Sequence, residues 1–268
     1  MDRTDTYCRD IVVRHDYDRY VLAQAAPAPL RPALYALFAF HHEIAKTRDV
    51  VRDTHAGLIR LAWWGEALEG FMQGQPMPNH EVAEALGRAI KAHDLPVELL
   101  GEVIDARRTE QEDITPATLE GMADFADICN TPLLTAACLL NGERPEYEPL
   151  RALATAWGII GQVRAIPYMA ARKRCYLPAT MVYELGIMPE QFDHLEPSAK
   201  LNTLVECILA RAQALLSEAK GQGALFKRQK QLARFYMKRI ADAGYNPFDV
   251  RVCTPVPFLG MRILFQDQ

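Results

Sequence analysis

Two stretches of the chain bring together side chains able to do chemistry. The first is His41-His42-Glu43, followed by His55, which offers the nitrogen and oxygen donors of a zinc site. Neighbouring histidines on a helix diverge by about 100°, so His41 and His42 cannot readily share one ion. The expectation is therefore no metal at this stretch, with one histidine facing a cavity and the other packed or hydrated. The second stretch carries Arg164, Arg172, Lys173 and Arg174 and no acid, four positive charges in eleven residues. Arginine forks suit a phosphate or a carboxylate; a solvated basic turn is the competing reading.

Helices must position these residues, because apolar side chains recur at three- and four-residue spacing almost everywhere and no alternating strand pattern interrupts them. About nine are expected, in one all-α domain over 1–268. The first strong one follows Pro27, Pro29 and Pro32 and runs from Leu34 through Asp53; the next spans 55–74. Others fit 80–92, 96–110, 117–140, 150–171, 199–219 and 224–242, with a short one before the turn LGIMPE. Thr115 is expected to cap the helix that starts at Pro116. The tail YNPFDVRVCTPVPF reads as irregular because proline forbids continued helix. Tyr35, Phe38, Phe40, Trp63, Trp64 and Trp157 read as core bulk, with an apolar ligand channel as the other reading. Glu66 and Glu69 read as a solvent face.

Composition narrows the partners. Lysine plus arginine number 30 against 34 acids, a formal charge of -4, which excludes a global nucleic-acid surface. One local basic run, FKRQKQLARFYMKR, has six cations and no acid; it reads as an exposed helix or as a contact with anionic lipid or an acidic partner. Cys8, Cys129, Cys138, Cys175, Cys207 and Cys253 form no C-x-x-C pair, which fits a reducing compartment. No apolar run approaches the roughly 20 residues of a spanning helix, and no signal or transit sequence is visible at the N-terminus. A cytoplasmic protein is expected, with peripheral membrane association open.

Three segments, in order, resemble the squalene/phytoene synthase family. Ala39 to Asp49 is similar to the family's A-F-C-R-x-x-D-D-x-x-D; Leu61-Ala62-Trp63-Trp64 resembles its paired-tryptophan stretch; Gly158 to Pro178 resembles the run R-D-x-x-E-D with the R-x-Y-L-P that follows. The resemblance implies an isoprenoid-synthase-type helical bundle around a central cavity. It also implies aspartates at i and i+4 that hold diphosphates through magnesium.

The matching positions here are Ala45, Lys46 and Asp49 in the first segment and Arg164, Ala165 and Met169 in the second, so Asp49 is the one retained motif acid. Gly158 and Gly161 stand at the family's upstream polar positions, while Arg164, Arg174 and Tyr176 match. Alanine, methionine and lysine give magnesium no oxygen ligand. The expectation is no metal and no cofactor, with Arg48, Arg164, Arg174, Tyr176 and His41 holding an anionic, diphosphate-like group; Arg48 and Arg52 near Asp49 add to the inversion from acidic to basic. VRAIPYMAARKRCYLP and EIAKTRD are most similar to the family branch that contains a mitochondrial complex I assembly factor. That likeness implies a non-catalytic assembly role with an isoprenoid or lipid ligand and a protein partner in a membrane complex. The alternative is a divergent prenyltransferase of terpenoid biosynthesis, condensing isoprenyl diphosphates head to head, or a related enzyme using arginines in place of magnesium; magnesium is expected only if that enzyme reading holds.

Overall fold

A computed structural model describes residues 2–51, 53–112, 114–188 and 197–264. The chain is all-α, as the periodicity predicts, and no strand occurs among the described residues. It divides into two compact units built from interleaved stretches. Unit 1 comprises Met1–Glu112, Thr131–Pro145 and Gln222–Arg228; unit 2 comprises Asp113–Asn130, Glu146–Gly221 and Gln229–Gln268.

In unit 1, α1 (Arg3–His15) packs on α3 (Arg31–Ala45) and α6 (Glu81–His93), with α2 (Tyr17–Ala23) between them in sequence. A single turn, α4 (Thr47–Val50), leads to α5 (Thr54–Met72), which packs on α7 (Val97–Glu110). Helix α3 is apolar on nearly every side, and Leu34, Leu37, Phe38 and Phe40 are fully buried. A polar group on such a helix must find its partner inside the protein.

The helix expected to run to Asp53 breaks at Lys46. There the Thr47 hydroxyl bonds back to the Glu43 carbonyl at 3.4 Å. Helices α1 and α2 are absent from the sequence expectation. Only Thr4, Cys8 and Val12 of α1 are buried, one residue per turn and one of them polar, so its apolar signal is weak. Its start is firm nonetheless, because Asp2 and Asp5 form a reciprocal capping box.

Helix α8 (Leu119–Leu140) begins in unit 2 and ends in unit 1. Thr118, not Thr115, caps it by accepting from Gly121 N at 3.1 Å. Thr115 instead donates to the Cys175 carbonyl at 2.9 Å, which ties the turn before α8 to the segment after α9 (Tyr147–Ala170). Unit 2 is organised by α9, which packs against α11 (Ala199–Glu218). A short α10 (Ala179–Glu184) lies between them in sequence, and Pro189 and Glu190 of the expected LGIMPE turn fall outside the described residues. The chain continues into α12 (Ala224–Asp242). The tail expected to be irregular holds the short α13 (Val250–Cys253), capped by Asp249, before α14 (Leu259–Leu264). The prolines there bound these turns instead of forbidding them.

Candidate functional site

In unit 1 the chemistry sits at the end of α3. Glu43 is buried, and its two oxygens go to different cations: Oε1 lies 2.5 Å from Lys46 Nζ and Oε2 accepts from Arg60 Nη2 at 2.8 Å. Lys46 follows three residues later, on the same side of the helix, while Arg60 comes from α5. His41 is buried as well, with Nε2 2.9 Å from Arg107 Nη2 of α7. An arginine is always a donor, so Nε2 accepts and the neutral ring carries its proton on Nδ1. Arg107 also pairs with Glu110 at 2.8 Å.

Burial, then the charges of Arg19 and Arg107, then His42, hold the His41 pKa well below the usual histidine value. His42 is half-buried, and its ring stacks on His15 with centroids 4.5 Å apart. Burial, with His15 and Lys46 beside it, lowers its pKa too. The two histidines thus diverge, as the helical spacing requires. Arg48 is half-buried and Asp49 exposed on α4; Arg52 lies outside the described residues. One buried group escaped the sequence reading. Gln111, 2 % exposed, presses its amide against Gly57, and its Oε1 has no partner among the described residues.

In unit 2 the corresponding stretch is α9. The Arg164 guanidinium lies 3.5 Å over the Tyr236 ring of α12 and 6.0 Å from the Trp157 ring. Tyr236, 5 % exposed, is a second residue that pattern reading passed over, because it looked like one more aromatic in a basic helix. The two glycines at the upstream polar positions differ. A Cβ on Gly158 would come within 2.8 Å of the Ala126 Cβ and 2.5 Å of Asn130 Nδ2, so α8 fills that space; a Cβ on Gly161 would meet nothing within 4 Å.

The basic cluster spreads apart. Arg172 is exposed and sits 3.5 Å over the Tyr168 ring, and Lys173 is exposed with a left-handed φ of 57°. Arg174 and Tyr176 are half-buried in the segment that follows α9, which backbone bonds from Ala179 and Thr180 to Pro116 and Ala117 hold in place. In the basic helix α12, Lys230 bonds the Ala219 carbonyl, Lys238 pairs with Asp242 at 2.9 Å and Arg239 bonds the Arg251 carbonyl. The expected core aromatics divide: Tyr35, Phe38, Phe40 and Trp64 are buried, Trp157 is half-buried, and Trp63 is 37 % exposed. Glu66 and Glu69 face solvent. Among the described residues, no three His, Cys, Asp or Glu side chains gather as a metal-holding group.

The sequence model of squalene/phytoene synthases matches residues 12–255. The chain belongs to the squalene/phytoene synthase family. Among curated relatives of this family member are the proteins named NADH dehydrogenase (ubiquinone) complex I, assembly factor 6. That of Bos taurus is 26% identical over 91% of the chain and 76% of the relative; that of Homo sapiens is 26% identical over 81% and 66%. The chain thus spans about two thirds of the human relative's length. Among solved structures, the squalene synthase of Alicyclobacillus acidocaldarius superposes with a TM-score of 0.78 at 21% identity, covering 91% of the chain and 95% of that protein. A dehydrosqualene synthase solved with a ligand gives 0.81 at 16% identity, covering 98% and 94%. These likenesses establish an isoprenoid-synthase fold.

Proposed function

We propose that this family member is a non-catalytic assembly factor for respiratory complex I, acting from the cytoplasm, and that it holds an isoprenoid or lipid. The observation that carries the reading is the state of Glu43, whose two oxygens are committed to Lys46 and Arg60. Magnesium in this family would need several carboxylate oxygens on one helical wall. In unit 1, Lys46 stands at a motif position as a cation, and Asp49 alone remains. In unit 2, α9 offers Arg164, Ala165 and Met169 at the matching places, and the guanidinium rests on an aromatic ring. The donor set does not fit the ion. The names of the mammalian relatives support the assembly role. No described helix is long and apolar enough to cross a membrane, so contact with a membrane complex would be peripheral.

Incubating the purified chain with farnesyl or geranylgeranyl diphosphate and magnesium tests this. The expected outcome is no prenyl product and no released pyrophosphate, together with less assembled complex I on native gels when the gene is deleted. Robust metal-dependent turnover would reject the reading in favour of a divergent prenyltransferase.

A further inference from the structure

The geometry points to a separate binding site in unit 2, for a small molecule that carries two ammonium groups and one carboxylate, the charge pattern of a basic amino acid. The inference is independent of the assembly reading above.

The site is a cleft of about 170 Å³ lined by α8, α9 and α11. Asp124 and Asp127 come from α8, Glu148, Arg151 and Thr155 from α9, and Arg211 and Glu218 from α11. Their spacings within each helix are three, four and seven residues, so each set lies along one side of its helix. Thr155 stands nine residues before Arg164, about 14 Å along the axis, which separates the cleft from the motif positions of α9. Its volume is below the roughly 300–1,000 Å³ of pockets for drug-sized ligands and suits a molecule of amino-acid size.

Four carboxylates share the lining with two guanidinium groups, and only part of this charge is settled internally. Asp127 accepts from Arg151 Nε at 2.6 Å, and Glu148 lies 3.9 Å from the same arginine. Asp124, Glu218 and the half-buried Arg211 form no ion pair among the described residues. The groups left open are thus two carboxylates and one guanidinium, whose complement is two cations and one anion. The planar fork of Arg211 suits a carboxylate, which it can hold by two parallel bonds. A phosphate would meet the surplus of acids, and a plain diamine would leave Arg211 without an acceptor. No three acids gather as a metal-holding group among the described residues, so an organic cation fits better than a metal ion.

A hydroxyl supplies the second observation. Thr109, Thr135 and Thr203 are helical and bond back to the carbonyl four residues earlier, at 3.4, 2.8 and 3.0 Å. Thr155 makes no such bond and has no hydrogen-bond partner among the described residues. It is 6 % exposed, and that remnant opens into the cleft. A hydroxyl so placed without a partner is costly, and a polar ligand group beside it relieves that cost.

Calorimetry at low salt with L-lysine, cadaverine and L-glutamate tests the site. L-Lysine should bind saturably, and cadaverine, which lacks the carboxylate, about tenfold more weakly or worse, since one charged hydrogen bond is lost. L-Glutamate should not bind. Arg211→Gln should remove the advantage of lysine over cadaverine, and Asp124→Asn combined with Glu218→Gln should weaken both. Thr155→Val keeps the shape and should weaken lysine binding about fivefold without lowering the thermal midpoint of the free protein, whereas a purely structural hydroxyl would lower that midpoint. No saturation by lysine below about 10 mM overturns the proposal. Equal binding of lysine and cadaverine, or of lysine and glutamate, overturns it on the unaltered protein, whatever the variants do.

Discussion

The ends of α3 and α9 each carry cations in a largely apolar helix, and they neutralise them by different physics. On α3, Glu43 is the hub of an ion-paired network with Lys46 and Arg60. On α9, the Arg164 guanidinium is centred 3.5 Å over the Tyr236 ring. Ion pairing stabilises through short, directional contacts and fails badly if one partner is removed, because the rest is left charged in a poor solvent. A cation over a ring is held by a diffuse quadrupole and loses less when the charge is deleted. The α3 network should therefore be brittle and the α9 stack tolerant.

The largest effect is expected from Glu43→Ala. Removing one member of a buried pair costs about 3–5 kcal/mol, but both cations here can turn partly to water, so about 2 kcal/mol is expected from urea unfolding midpoints. A loss below about 0.5 kcal/mol would mean that the carboxylate organises nothing.

Acid should then act on His41. The buried ring's pKa lies below that of the unfolded chain, about 6.5, so stability is complete above that pH. As pH falls further, the unfolded chain takes a proton that the native ring refuses, and stability drops by up to about 1.4 kcal/mol per pH unit. His41→Gln, which can still accept from Arg107, removes that contribution, and its thermal midpoint should fall less between pH 6.5 and 5 than the parent's. Equal slopes would show that the ring is not held neutral.

The smallest effect is expected at α9. Arg164→Met keeps the stem and deletes the charge, for a loss of about 1 kcal/mol. If Arg164→Met cost more than Glu43→Ala, the contrast between the two helices would be reversed.

Much of the frame was legible in the residues. Helices expected at 96–110 and 224–242 are found at Val97–Glu110 and Ala224–Asp242, because burial and helical period agree there. Helix α1 was not legible, since one small buried residue per turn does not stand out from a polar background. The break at Lys46 was missed for a different reason. It is a single turn that separates two helical stretches, and apolar spacing carries no record of where such a turn falls.

By itself the sequence determined the all-helical class, the family and the replacement of motif acids by Ala45, Lys46, Ala165 and Met169, since these depend on residue type and near-neighbour spacing. It also set the local pair Glu43–Lys46, which the helical repeat brings together. Only the tertiary structure decided that Arg60 completes the pair, that Tyr236 carries Arg164, and that α8 fills the space at Gly158 while Gly161 stays open. Those contacts join helices far apart in the chain, and their partners are chosen by packing, which no local spacing encodes.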